Sequence, residues 1–542
     1  MNIKTLYQKN EQISLESYLK KHNIQDTKEF LFPSGKYLED PLWYNNMDKG
    51  VNIILDSLSK DEQFGLLVDI DADGWYSGSL FYKYIKLVKP DVKIKVFFHH
   101  NKTHGLSEEG LIESIINSNI QIMIIPDASS GEEHLHKILF DNKIKCVIAD
   151  HHPCDIHSKY ACVINNQQSP SVLNKSGSGT LVTFKLLKEI DNRLELRHTR
   201  DLIDIVWFSL LSDIMNMNSM ENACFSYWAK KNIKNKCLIA LIDKLAKDRP
   251  LNNETISWNI QPKVSAIIRC RNQELKETLF WALAEEKEEY INIILDECQK
   301  VHNQQKKEVE EYYENCSFVD SDDKIIFNPV DIYPFYTGLV ASKYVSDYNL
   351  PVILYTEHND YYTGSIRSPI PIKQTLKDSG LFTFVEGHDA SAGCGFTKEN
   401  FNKIKQFCKE VEVDDSIEVT QSFITSEIPN DLFGLTSEYK DIWGKGIEKP
   451  LFHIHSIHIN GKDIKELGNG STIKFSYKDV DFIKFFCSKD LKEQLHIGKN
   501  KKLSIEVIGE LDKNEFRGKI TNQVIIDKIE IKDYNRNIND VF

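Results

Sequence analysis

The sequence predicts an α/β protein of several parts: a parallel-sheet domain, a long connecting helix, a second α/β domain and a small C-terminal β-barrel. Three observations predict it. Between residues 61 and 230, four short apolar runs (FGLLVDI, VKIKVFF, IQIMIIP and IKCVIAD) alternate with helix-forming sequence, the mark of βαβ units. Ile291, Ile294, Leu295, Cys298, Val301 and Val309 then recur at mostly helical intervals on a charged background, as one long helix would place them. Beyond residue 413 short strand-like runs take over: FHIHSIHI, TIKFSY, DFIKFF, LSIEVIGEL and VIIDKIEI, with little helix after residue 440. Several short strands joined by turn residues suit a small barrel.

The elements fall in order along the chain. Residues 1–60 read as a helical lead-in with a Pro/Gly-punctuated segment, FLFPSGKYLEDP. Residues 61–230 form the first α/β domain and 231–320 a helical connector. In 321–412, KIIFNPV, PVILYTE and YYTGSIRS read as strands and the Gly-rich GHDASAGCGF as a tight turn. Residues 413–542 form the barrel. A chain of 542 residues exceeds what one core organises, so several domains are expected.

Composition excludes some classes. No stretch approaches the roughly 18 uninterrupted apolar residues that span a bilayer, and the polar N-terminus lacks a secretory h-region. A cytosolic protein with no membrane partner is expected. The eleven cysteines contain no CxxC pair, so neither a zinc ribbon nor a disulfide framework is indicated. Cys146, Cys154 and Cys162 beside His151 and His152 read as reduced structural thiols. The net charge of −13 runs against phosphate binding as a whole-molecule sum, but a basic groove can sit on an acidic protein.

The chemistry is concentrated at strand ends. Asp69, Asp71 and Asp73 alternate in VDIDADG directly after an apolar run. Hard divalent cations want carboxylate oxygens, although the same residues also suit a loop that caps the next helix. Asp150-His151-His152 ends another buried run, and imidazole beside carboxylate leans toward Mn-like ions over Mg. Asp127 in IIPDASS and Asp213 in WFSLLSDIMNM end two further apolar runs. Together these residues supply enough ligands for a dinuclear site suited to in-line phosphoryl displacement.

DxDADG followed by DHH, with isolated acids between and after, resembles the DHH phosphoesterase superfamily. Gly364-Ser365-Ile366-Arg367-Ser368 looks like the GSxRS motif of its DHHA1 partner module, and residues 386–393, EGHDASAG, look like its GGHxxAAG motif. Within the superfamily the lead-in FLFPSGKYLEDPLWYNNMDKGV, the segment His302-Asn303-Gln304-Gln305-Lys306 (compare NxxR), and IWGKGIEKPLF followed by Asn514-Glu515-Phe516-Arg517-Gly518 resemble RecJ. The resemblance runs from about residue 28 to the end. It implies a DHH domain, a DHHA1-like domain and a C-terminal OB-fold. It also implies a single-stranded-DNA exonuclease that works 5′→3′ with two Mn²⁺ or Mg²⁺ ions and releases mononucleotides.

The resemblance further implies roles. Asp71 and Asp73 would bind one metal each, Asp127 would bridge, and His151 and Asp213 would complete the second site. Asp69 would orient or join the ligands, Asp150 would support the histidines, and His152 would contact the scissile phosphate. Ser365, Arg367 and His388 would hold the nucleotide at the other wall, with Gly387 and Gly393 letting backbone approach it. Lys499, Lys501, Lys502, Lys513, Arg517 and Lys519 read either as a basic cluster by which the OB-fold holds the strand or as a solvated basic face on a structural domain. Three positions depart from the pattern. Where RecJ proteins usually carry Arg between the first acidic motif and Asp127, the segment is FHHNKTHG, with His99 or His100 nearest. Lys306 stands for Arg and Glu386 for Gly. Expected partners are single-stranded DNA and a single-strand-binding protein or helicase, with the chain itself a monomer. Two rival functions share the motifs: a phosphodiesterase of short oligonucleotides or cyclic dinucleotides, and a non-catalytic DNA-binding scaffold.

Overall fold

Five apolar runs form the first sheet: β1 (Phe64–Val68), β2 (Ile94–Phe98), β3 (Ile122–Pro126), β4 (Lys145–Asp150) and β5 (Cys162–Asn165). All pair in parallel, in the order β2-β1-β3-β4-β5. Alternate residues feed two cores. Phe64, Leu66, Val68, Ile122, Ile124, Val147 and Ala149 face one, and Leu67, Met123, Ile125, Cys146 and Ile148 the other. Burial on both faces is why these runs are continuously apolar instead of alternating. This computed structural model describes residues 1–316, 323–412, 416–468, 470–516 and 518–532. Arg517 lies outside them.

Strand order fixes where a ligand can sit. The chain leaves β1 toward β2 on one side, and β3 lies on the other, so β1 and β3 flank a switch point. Open α/β sheets bind ligands there, beyond the carboxyl ends of the strands. Helices α1 (Ala72–Val88), α2 (Gly179–Arg193) and α3 (Ile203–Ser212) pack on this sheet, and helices 236–245, 261–268 and 273–284 extend the same core.

The long helix α4 runs from Glu288 to Asn315. Its 28 residues span about 42 Å. Ile291, Ile294 and Cys298 pack into the first core, whereas Val309 joins a second one with Ile326, Val340 and Tyr344. The second sheet contains β6 (Ile326–Pro329), β7 (Val352–Glu357), β8 (Tyr361–Arg367), β9 (Phe384–His388) and β10 (Ser391–Thr397), in the order β9-β10-β8-β7-β6. Only β6 and β7 are parallel; the rest are antiparallel. The segment GHDASAGCGF, read from its glycines as a turn, is mostly strand. Asp389 and Ala390 alone turn the β9–β10 hairpin, and His388 pairs with Ser391 across it.

The C-terminal sheet orders β11 (Gln421–Ile424), β12 (Leu451–Asn460), β13 (Lys465–Leu467), β14 (Thr472–Tyr477), β15 (Val480–Lys484), β16 (Lys502–Phe516) and β17 (Lys519–Lys532) as β11-β12-β16-β17-β15-β14-β13. Three strands separate β12 from β14, yet the two touch, and Phe452, Ile454, Phe475 and Phe482 share one core. The sheet therefore curls into a barrel. Its lysines do not gather as the sequence suggested. Lys502 opens β16 while Lys513 and Lys519 lie near the far end of the β16–β17 hairpin, about 35 Å away by strand rise.

The lead-in is shared between cores. Residues 3–5 pair in parallel with residues 417–419, and Tyr7, Leu15, Tyr18, Leu19 and Phe30 are buried in the barrel's core. Met47, Val51 and Ile54 pack instead on the first sheet. Among the described residues no helix is long and apolar enough to cross a membrane.

Candidate active site

The acidic motif lies on the turn from β1 into α1. Asp71 is the N-cap of α1 and accepts the Gly74 N–H at 3.0 Å. The capping reading therefore holds at Asp71, and an N-cap spends one carboxylate oxygen and leaves the other free for a cation. Gly74 is required here: a Cβ would meet the Asp69 side chain at 2.6 Å.

Asp73 is almost fully buried and accepts the N–H groups of Gly179 (2.7 Å) and Thr180 (3.0 Å), at the start of α2, and the hydroxyls of Thr180 and Ser209. A helix N-terminus offers free N–H groups to an anion. Asp69 is held as firmly, by His104 Nδ1 at 2.6 Å, the Gly105 N–H at 2.9 Å and His99 Nε2 at 3.4 Å. Burial alone would raise the Asp69 carboxyl, but His104 and His99 outweigh it and hold it well below the usual range.

Asp73 and two further carboxylates meet around one imidazole. His151 Nε2 lies 3.3 Å from Asp127 Oδ1, 3.4 Å from Asp213 Oδ2 and 3.9 Å from Asp73 Oδ2. Asp127 Oδ1 and Asp213 Oδ2 are buried with no hydrogen-bond donor. Burial together with Asp73 and Asp71 pushes the Asp127 carboxyl well above its ordinary range. Burial, Asp213 and Asp69 push Asp71 up to about 6. Unpaired buried acceptors are costly and rare in native structures. Converging like charges are costlier still. Divalent cations resolve both, and the donor set (carboxylates with one imidazole) is one they favour. Three groups place ligand atoms within 4.8 Å of one another: Asp127, His151 and His152; Asp73, His151 and Asp213; and Asp69, Asp71 and Asp127.

Asp150 stands behind the histidines. Its Oδ1 accepts the His151 N–H at 2.7 Å and lies 2.8 Å from His152 Nδ1, and the Ser130 N–H reaches its Oδ2 at 3.1 Å. Burial would lower the His152 imidazole, but the Asp150 carboxylate raises it to about 10.

Opposite the acids stands a cationic group. The β9–β10 hairpin brings His388 Nε2 to 3.4 Å from Asp213 Oδ1. Gly387 has φ +117, and a Cβ there would lie 2.9 Å from the Ser391 carbonyl, so only glycine suits the bend that aims His388. Ser365 is buried on β8, and Lys102 Nζ reaches its hydroxyl at 3.3 Å and the Pro334 carbonyl at 3.3 Å. Arg367 packs over Gly338 beside Arg269. Desolvation, with Arg367 and Arg269 close by, brings Lys102 down to about 8, and burial with Arg269 brings Arg367 to about 10.

The structure corrects part of the expected DNA wall. His99 is buried between Asp69 and Glu108, 2.9 Å from the latter, so it props the acidic loop and is closed to a strand. His100 is exposed and gives its backbone N–H to Glu108. The cation of that segment that crosses the cleft is Lys102. Lys306 is exposed on α4 and groups with Lys263 and His302. Sequence reasoning also missed His104, Arg269 and the Gly179-Thr180 cradle. Scanning the whole segment FHHNKTHG for a cation would have found Lys102. The SGSGT run before an apolar helix is a readable anion-binding start. Arg269 carries no local signal. All eleven cysteines are free.

Comparison with known proteins bears on the fold and on the chain as a whole. Residues 426–528 match the RecJ OB domain. The chain is 28% identical over 95% of its length to a Bacillus subtilis (strain 168) protein named "Putative SPbeta prophage-derived single-strand DNA-specific exonuclease YorK", covering 96% of it. To the single-stranded-DNA-specific exonuclease RecJ of Haemophilus influenzae it is 23% identical, over 95% of this chain and 96% of that one. The crystal structure of Thermus thermophilus RecJ in complex with Mn²⁺ superposes with a TM-score of 0.76 at 17% identity, covering 95% of this chain and 75% of that one. A second crystal structure of that RecJ is in complex with Mg²⁺. The chain is RecJ-like in fold, in sequence along nearly its whole length, and in its C-terminal OB domain.

Proposed function

We propose that the chain is a metal-dependent exonuclease that trims single-stranded DNA 5′→3′ to mononucleotides. The observation that carries this reading is the pairing of two buried, donorless carboxylate oxygens on Asp127 and Asp213 with a cationic wall across the cleft. Asp71, Asp73, Asp127, His151 and Asp213 would hold two divalent ions, and Asp69 would orient the loop that carries them. Bound there, such ions polarise a phosphodiester and lower the pKa of water.

The chain's own groups do the rest. Asp150 keeps His152 protonated and fixes its ring, so an N–H is presented to the scissile phosphate. Lys102, Arg269 and Arg367 neutralise the phosphate at the strand's end, with Ser365 donating a hydroxyl and Arg367 able to grip two oxygens at once. His388 gives a further N–H at the Asp213 edge. Partners of the single-strand-binding or helicase kind would deliver such a strand.

The test uses long single-stranded DNA labelled at either end, with Mn²⁺, comparing wild type with Asp127→Ala. Rapid release of a 5′ label as mononucleotide, lost in the variant, is the expected result. Cleavage of very short oligomers only would replace this reading with a small-substrate phosphodiesterase. Binding without cleavage would replace it with a scaffold.

A further inference from the structure

Sixteen non-glycine residues among those described have positive φ. Fourteen are polar or charged, mostly Asn, Asp, Ser, Lys and Glu, which tolerate this backbone in turns. Ile214 (φ +54) and Phe486 (φ +53) are the apolar ones, and both are exposed. For a β-branched residue such a φ is a true outlier, and strain of this kind clusters at ligand sites.

The local bonding shows why Ile214 should have been glycine. Helix α3 ends at Ser212 and Asp213 caps it, its N–H donating to the Ser209 carbonyl. The Met215 N–H donates to the Leu210 carbonyl at 2.9 Å, and Met215 and Leu210 pack in the same core. That is a Schellman ending, in which the residue after the cap adopts the left-handed conformation and is usually Gly, sometimes Asn. Ile214 occupies that place. Its side chain buries little in the protein, being 60% exposed. Folding gives no reason for a branched apolar residue here.

Its position supplies one. Asp213, the preceding residue, faces His151 and His388. Three residues on, the Met217 N–H donates to the Lys445 carbonyl of the C-terminal region. Ile214 thus lies in the chain between a residue of the carboxylate cluster and a contact with the C-terminal region, with its side chain exposed. We propose that Ile214 is an apolar platform for the base beside the scissile phosphate, making the exonuclease sense the base as well as the backbone. This rests on the proposed function and extends it to a contact residue.

The test compares wild type, I214G and I214L, with Mn²⁺, on two substrates: an ordinary single strand and one in which both nucleotides flanking the first scissile phosphate are abasic. Uncleaved-strand binding in EDTA is followed in parallel by fluorescence anisotropy. I214G relieves the backbone, so its Tm is expected to rise by roughly 2–4 °C. Its KM for the ordinary strand is expected to rise about tenfold, the effect of losing the apolar contact between the deleted side chain and the base. On the abasic strand I214G and wild type should coincide, and I214L should restore the ordinary-strand KM. An I214G defect of equal size on both strands, or a fall in Tm, would overturn the proposal. If wild type cuts neither strand, the exonuclease reading fails, and the same base-dependent contrast in binding still judges Ile214.

Discussion

The two walls of the cleft are built on opposite principles. On the acidic wall the carboxylates are short, and four of them are placed by backbone: Asp69 by the Gly105 N–H, Asp71 by an N-cap, Asp73 by a helix start and Asp150 by strand-end N–H groups. Asp127 and Asp213 each keep a buried oxygen without a donor. The cationic wall is made of long side chains drawn from distant segments: Lys102 reaches Ser365 and the Pro334 carbonyl, with Arg367 and Arg269 close by. A metal site needs fixed geometry, which backbone supplies. A wall that holds a moving polymer needs charge at adjustable reach, which Lys and Arg stems supply. The net charge of −13 is silent about this division.

Four experiments would break or sharpen the contrast. Asp127→Ala should abolish cleavage, since losing a ligand forfeits several kcal/mol of transition-state stabilisation, on the order of a thousandfold in rate. The same variant should melt higher than wild type in EDTA, because a buried carboxyl crowded by Asp73 and Asp71 is gone. It should also lose the stabilisation of about 2.7 kcal/mol that wild type shows at metal a hundredfold over Kd; differential scanning fluorimetry reads both. Next, Lys102→Ala or Arg367→Lys should raise KM about 10- to 100-fold, the worth of a charge-assisted contact, while leaving the metal-dependent Tm shift intact. Third, His104→Ala should lower metal affinity roughly tenfold or more, as removal of an orienting partner does, and calorimetric titration of Mn²⁺ would show it. The smallest effect belongs to the seam. Val309→Ala should cost about 1–2 kcal/mol of stability by chemical denaturation and should change metal binding very little.

The same division explains what the sequence reveals. The acidic wall was legible because its residues sit at the ends of apolar runs, and local pattern locates strand ends. The long helix was legible from periodicity alone, and its residues 288–315 include every position that pattern picked. The hairpin 384–397 was not, because glycines in a strand mimic a turn when one looks only at composition. The cationic wall was legible at Arg367 and Ser365, through a motif. It was misplaced at His99, because burial between two carboxylates is a tertiary fact. Arg269 stands in no motif, and joins the wall only when the helix 261–268 packs. The first sheet's fifth strand, Cys162–Asn165, is too short to announce itself.

The pairing of residues 3–5 with residues 417–419 has a consequence in time. The apolar residues Tyr7, Leu15, Tyr18 and Phe30 find their core only once the barrel has been synthesised, roughly four hundred residues later. At ordinary translation rates of about 5–20 residues per second, that is a wait on the order of 20–80 s with an apolar segment uncovered. Folding of the first sheet can proceed meanwhile, since its strands lie within about a hundred residues of one another. Burial of the lead-in is therefore a late event in the assembly of this chain. A cell short of chaperones should lose the protein at that step rather than at the catalytic sheet.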